Sequence, residues 1–107
     1  PPDNRPPNKE EIRNHTPFLI EQIKIIKPKI IITLGNFSTK FVLGGFSVEG
    51  MKKVEGISLL HGKAVEKELE DSKFIVFPMY HPAAVLYRRS LKDELEKDFL
   101  KVKELLT

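Results

Sequence analysis

Two uninterrupted runs of β-branched and aromatic side chains constrain this chain more than any other feature. One spans Lys29 to Leu34, with Ile30-Ile31-Ile32-Thr33-Leu34 between Pro28 and Gly35. The other spans Lys73 to Met79, with Phe74-Ile75-Val76-Phe77-Pro78-Met79 leading into Tyr80-His81-Pro82. Apolar runs without polar alternation belong to strands covered on both faces, as the central strands of parallel sheets are. Each is too short for a membrane span, and the chain contains no apolar stretch of the roughly 18 residues one needs.

Helical signals surround the two runs. Asn8 caps a short helix, with Glu11 three residues on completing a capping-box-like pair. Thr16-Pro17 then starts a second helix, in which Leu19, Ile23 and Ile26 share a face and which Pro28 ends. Asn36 caps a helix over 37–43 that Gly44-Gly45 stops. A short helix is expected near 48–53 and a loop after it. Lys63 to Leu69 alternates as an edge strand would, and Glu70-Asp71-Ser72 makes a turn. Ser90 caps a last helix with Leu91, Leu95, Phe99, Val102 and Leu106 along one stripe. Pro1 to Pro7 is an extended lead-in. These elements predict an α/β fold, a three-layer α/β/α arrangement around a mostly parallel sheet, in one domain over residues 1–107.

Composition narrows the setting. With 107 residues the chain supports one small core. Cysteine is absent, which excludes a disulfide or an all-thiolate metal cluster within this chain. The polar start is unlike a signal peptide, so a cytoplasmic protein is expected. Charged residues make up 31%, mostly Lys and Glu beside abundant Ile, a balance suited to hot environments. The net charge of +3 permits nucleic-acid binding without requiring it.

His81 is the leading candidate for chemistry. It follows a buried strand and precedes a proline able to open a helix, a junction at the mouth of the sheet where α/β proteins place ligands. Alone, a His-Pro pair is as readily a histidine bonded to nearby backbone. Paired carboxylates, a phosphate-cradling glycine loop and a Ser/His/Asp arrangement are not evident.

The wider pattern brings a family into view. Pro1-Pro2-x-Asn4-Arg5-x-Pro7, Glu11-Ile12, Thr16-Pro17-Phe18-Leu19, Gln22-Ile23, Ile25 to Pro28, Ile30 to Gly35, Gly62-Lys63 and Met79-Tyr80-His81-Pro82-Ala83-Ala84-x-Leu86 come in order. Together they resemble the C-terminal portion of family 4 uracil-DNA glycosylases, across nearly the whole chain. The resemblance implies an incomplete glycosylase-like fold and a DNA repair hydrolase acting on uracil in single- or double-stranded DNA. It implies that His81 stabilises the departing uracil anion. Val85 or Leu86 would fill the space left by a flipped nucleotide. Arg88, Arg89 and Lys63 would contact DNA phosphates, and Asn36 would face the pocket unless capping its helix is its whole role.

The resemblance also exposes differences. The family's Gly-Glu-Ala-Pro-Gly-type motif, which positions water, and its uracil-reading Asn have no counterpart here. The chain is therefore expected to be inactive alone and to need an N-terminal segment or another subunit. His15 stands where the family has one of four cysteines holding a [4Fe–4S] cluster. It is either an imidazole ligand in a longer protein or a partly exposed helix residue without iron. A non-catalytic nucleic-acid-binding or interaction module of the same fold is the alternative function.

Overall fold

The computed structural model describes residues 8–70 and 72–106, without the side chains of residues 9 and 12–15. The proline-rich lead-in and Asp71 of the expected turn thus lie outside the described residues. The elements in order are α1 (Lys9–Ile26), β1 (Ile30–Leu34), α2 (Gly35–Leu43), α3 (Val48–Met51), α4 (Ile57–Leu60), β2 (Val65–Leu69), β3 (Ser72–Met79), α5 (Pro82–Tyr87) and α6 (Leu91–Leu106).

Asn8 starts α1 as its sequence suggests, its Oδ1 accepting the Glu11 N–H at 2.8 Å. The expected restart at Thr16-Pro17 does not occur, because α1 runs through Pro17 as one helix. An interior proline removes one ladder bond and costs about 3 kcal/mol. Packing beyond it offsets that cost. Leu19, Ile20 and Ile23 lie against a core of Phe41, Val42, Phe46, Phe74 and Val76, and each fully buried apolar side chain contributes about 1.5–3 kcal/mol. Lys27 then ends the helix in a left-handed conformation, φ 51°, with its N–H on the Ile23 carbonyl.

The sheet order is β1-β3-β2. β1 and β3 are parallel, in register from Ile30 opposite Ile75 to Leu34 opposite Met79. β2 and β3 are antiparallel. Among the described residues the sheet is therefore mixed rather than mostly parallel, and only β3 is central. The edge position expected for 63–69 is correct; the double coverage expected for β1 is not.

Side-chain alternation explains the difference. On one face Phe74 and Val76 meet α1 and α2, and the buried Thr33 hydroxyl lies 2.9 Å from the buried Thr39 hydroxyl on α2. On the other face Phe77 and Met79 meet Leu95 and Val102 of α6. Helices thus lie on both faces, giving the expected three layers. But α6 covers β3 only, which leaves Ile32 and Leu34 of β1 42% and 39% exposed.

Two further expectations change. Asn36 is not a helix cap: α2 starts two residues earlier than expected, at Gly35, with Leu34 in the cap position. The α6 stripe contains Leu91, Leu95, Asp98 and Val102, while Phe99 and Leu106 face outward. No helix among the described residues is long and apolar enough to cross a membrane.

Candidate active site

Because β1 and β3 run parallel and in register, their carboxyl ends lie side by side, and the residues that follow them share one rim of the sheet. After β1 comes Gly35, at φ +84°; after β3 come Tyr80 and His81. A Cβ on Gly35 would lie 3.4 Å from the His81 Cβ. A side chain there would touch the histidine, and the positive φ is what favours glycine at this position. This rim is where open α/β sheets bind ligands.

His81 is the N-cap of α5, with Pro82 at the first helical position. The ring is exposed, and its Nδ1 accepts the Ala83 N–H at 3.1 Å. An accepting imidazole nitrogen carries no proton, so in the capped state the ring is neutral and its proton sits on Nε2. The cap therefore presents one N–H donor at the rim.

Tyr80 anchors the backbone just before this donor. It is buried in a cluster with Ile57 and Leu91, against Ala84, Val85 and Leu95. Burial pushes its phenol pKa above the ordinary 10.0; Glu94 and Asp98 add to the shift and Arg88 opposes it. The Asn36 Oδ1 accepts the Ile57 N–H at 2.7 Å, tying α4 to the end of β1. Asn36 thus lies at the expected rim with its oxygen already engaged by backbone.

The other candidates separate clearly. Val85 is half-buried and packs against the Tyr80 cluster. Leu86 and Tyr87 are 79% and 88% exposed, and Arg88 and Arg89 are exposed beside them. Lys63 is exposed close to His61. His15 lies within α1, but its side chain is outside the described residues.

One group carried no expectation at all. His61 Nδ1 is 2.7 Å from Asp98 Oδ2, and Asp98 is only 2% exposed. The signal was present in the sequence: Leu91, Leu95, Asp98 and Val102 follow i, i+4, i+7, i+11 spacing, and a carboxylate on a buried helical face needs a donor.

The family model for the uracil DNA glycosylase superfamily matches residues 1–105. The chain belongs to the uracil-DNA glycosylase superfamily. Among its relatives, a type-4 uracil-DNA glycosylase of Sulfurisphaera tokodaii is 46% identical over 105 residues, 98% of this chain and 46% of that protein. The corresponding protein of Saccharolobus solfataricus is 43% identical over 107 residues, 100% of this chain and 48% of its own length. A protein named DNA polymerase, of Bacillus phage SP01, is 36% identical over 97 residues, 91% of this chain and 9% of its own length. The chain spans about half the length of the curated glycosylases it matches.

Of the [4Fe–4S] ligands that the glycosylase resemblance implies, this chain offers only the position of His15, whose side chain lies outside the described residues. Cysteine is absent, and the described residues contain no group of three His, Cys, Asp or Glu side chains arranged to hold a metal ion.

Proposed function

We propose that this chain is the His81-bearing part of a uracil-DNA glycosylase, and that the complete protein hydrolyses the N-glycosidic bond of uracil in DNA. The observation that carries the reading is the exposed, neutral His81, capped through Nδ1 and left with an Nε2–H donor at the strand ends. Membership of the superfamily supports the same reading.

The chemistry asks for such a donor. As the C1′–N1 bond breaks, its electron pair leaves with the base and spreads over N1, C2 and O2, while the sugar takes on oxocarbenium character. Water then adds its oxygen to C1′ and loses a proton. The Nε2–H of His81 donates to uracil O2 where negative charge develops, and donors aimed in this way are often the largest single contribution to catalysis. A neutral ring does this without transferring its proton. Water positioning and reading of the uracil edge fall to residues outside this chain, so the chain alone is expected to be inactive.

In this reading Leu86 fills the gap left by the flipped nucleotide; its exposure on the helix that His81 caps supports that role. Arg88 and Arg89 stand next to it for phosphates. The test is uracil release from a uracil-containing oligonucleotide by the complete protein carrying His81→Ala. The expected loss in kcat is about 10²–10³-fold; an unchanged rate would overturn the assigned role.

The exposed Leu86-Tyr87 pair beside Arg88 and Arg89 also favours a second reading, a DNA-binding module without catalysis. In that case the 107-residue chain binds DNA with an affinity that falls steeply with salt and ignores uracil. A preference for uracil-containing strands would exclude it.

A further inference from the structure

We infer that His61 and Asp98 are positioning residues for His81, acting through the Tyr80 ring. The inference rests on the reading of His81 as the donor and extends it to residues on two other elements.

Asp98, on α6, is buried, and a buried carboxylate is costly unless it is hydrogen-bonded or paired. His61 Nδ1, at 2.7 Å, supplies a donor. A carboxylate on Nδ1 keeps a proton there and sets the plane of the imidazole. That plane stands over Tyr80, with ring centroids 4.6 Å apart and a 37° tilt. The next residue in the chain is His81.

The backbone repeats the connection. Gly62 N–H donates to the Pro78 carbonyl at 2.8 Å, so the segment carrying His61 is tied to the end of β3. At Gly62, φ is +76° and an added Cβ would run into the Asp98 carboxylate. The close passage of Asp98 over this backbone requires glycine there. On the other side, Asn36 holds the start of α4 through Ile57. The segment from 57 to 62 is thereby braced between both strand ends and α6.

His81 needs such a brace. Its ring is exposed, and the one hydrogen bond described for it is the 3.1 Å contact with Ala83 N–H. Where its Nε2–H points is set by the backbone at 80–82, and the packed Tyr80 side chain is the anchor of that backbone. Small displacements matter at this point, because a shift of about 1 Å in a catalytic group can cost about 10²-fold in rate.

His61 carries a proton on Nδ1 toward Asp98, with Glu94 Oε1 3.9 Å from its Nε2, whereas the cap leaves His81 with its proton on Nε2; nitrogen NMR of the imidazoles distinguishes the two rings. The test compares His61→Gln and Tyr80→Leu with the unmodified 107-residue chain. His61→Gln keeps an amide donor for Asp98 and removes the ring over Tyr80. Tyr80→Leu keeps an apolar side chain in the cluster and removes the ring that His61 meets at a tilt. In each folded variant we expect loss of the single Nε2–H pattern at His81 and faster hydrogen exchange at Ala83, with the amides of β1 and β3 unchanged.

If His61→Gln or Tyr80→Leu is folded and leaves both His81 signals intact, the positioning role is overturned. In the complete protein, His61→Gln should lower kcat by about 10- to 100-fold with little change in KM. His81→Ala, read alongside, separates the two ideas. Unchanged activity in His81→Ala removes the glycosylase reading, while the NMR result stands or falls independently on the 107-residue chain.

Discussion

Replacing His81 with Asn and with Ala separates its two roles. As N-cap it accepts the Ala83 N–H; as proposed donor it offers Nε2–H to uracil. Asn is among the best N-cap residues, whereas Ala lacks a side-chain acceptor and costs about 0.5–2 kcal/mol at such a position. The His81 cap is exposed and α5 is short, so the low end applies, about 0.5–1 kcal/mol. For a domain near 100 residues that is a fall in Tm of about 2–6 °C. Asn is also too short to place its amide where Nε2 stood, and loss of an aimed donor costs about 2.7–4 kcal/mol in the transition state. Thermal unfolding of the 107-residue chain should therefore rank Asn close to the unmodified protein and Ala below both. Uracil release by the complete protein should fall about 10²–10³-fold in both variants. Full activity in the Asn variant would refute the donor argument. An Asn variant as unstable as the Ala variant would refute the cap.

Other expectations follow from features away from the ring. The buried Thr33 and Thr39 hydroxyls satisfy one another, so Thr39→Val should destabilise by about 1–3 kcal/mol by orphaning Thr33. The double change Thr33→Val with Thr39→Val should recover most of that loss in chemical denaturation, and simple additivity of the two would contradict the pairing. Tyr80 is the second test: in a Tyr87→Phe background the phenolate absorbance reports Tyr80 alone, with a midpoint above 10.0. The sign is fixed by the raised folded value. Stability held by the neutral phenol is complete below the unfolded pKa near 10 and is lost as pH climbs through the folded one. Leu86→Ala should weaken activity on double-stranded DNA more than on single strands, which need no gap filled, without lowering Tm, since the side chain is exposed. Equal losses on both substrates would remove its proposed role.

What could be read directly from residues was local. Asn8 with Glu11, the isoleucine run of β1, the aromatic run of β3 and the opening of α5 at Pro82 each declare themselves within a few positions. What escaped depends on partners far along the chain. Pro17 looked like a boundary because the packing that carries α1 across it comes from α2, Phe46 and β3. α4 reads as loop from sequence because Ile57-Ser58-Leu59-Leu60 has no polar cap of its own; its first N–H is satisfied by Asn36, 21 residues earlier. The same bond explains why Asn36 resembled a helix cap, since a residue suited to accepting an N–H does accept one, but from another element. Val85 and Leu86 were indistinguishable by type, and only the direction of α5 turns one inward and the other out. His61 and Asp98, 37 residues apart, became a pair only once α6 lay across β3.

The half-covered first strand bears on how the protein behaves at high concentration. Its outer row of peptide groups has no partner among the described residues, and Ile32 and Leu34 present hydrocarbon to water beside it. A strand in that condition is a template for another copy, and cationic side chains are a common way of keeping copies apart. Lys27 and Lys29, both exposed just ahead of the strand, stand where they can do this. Mutual repulsion between them weakens as ions accumulate, since the screening distance shrinks from about 10 Å at 0.1 M to about 3 Å at 1 M. Concentrated brine that steadies most compact proteins should therefore drive the 107-residue chain to cluster.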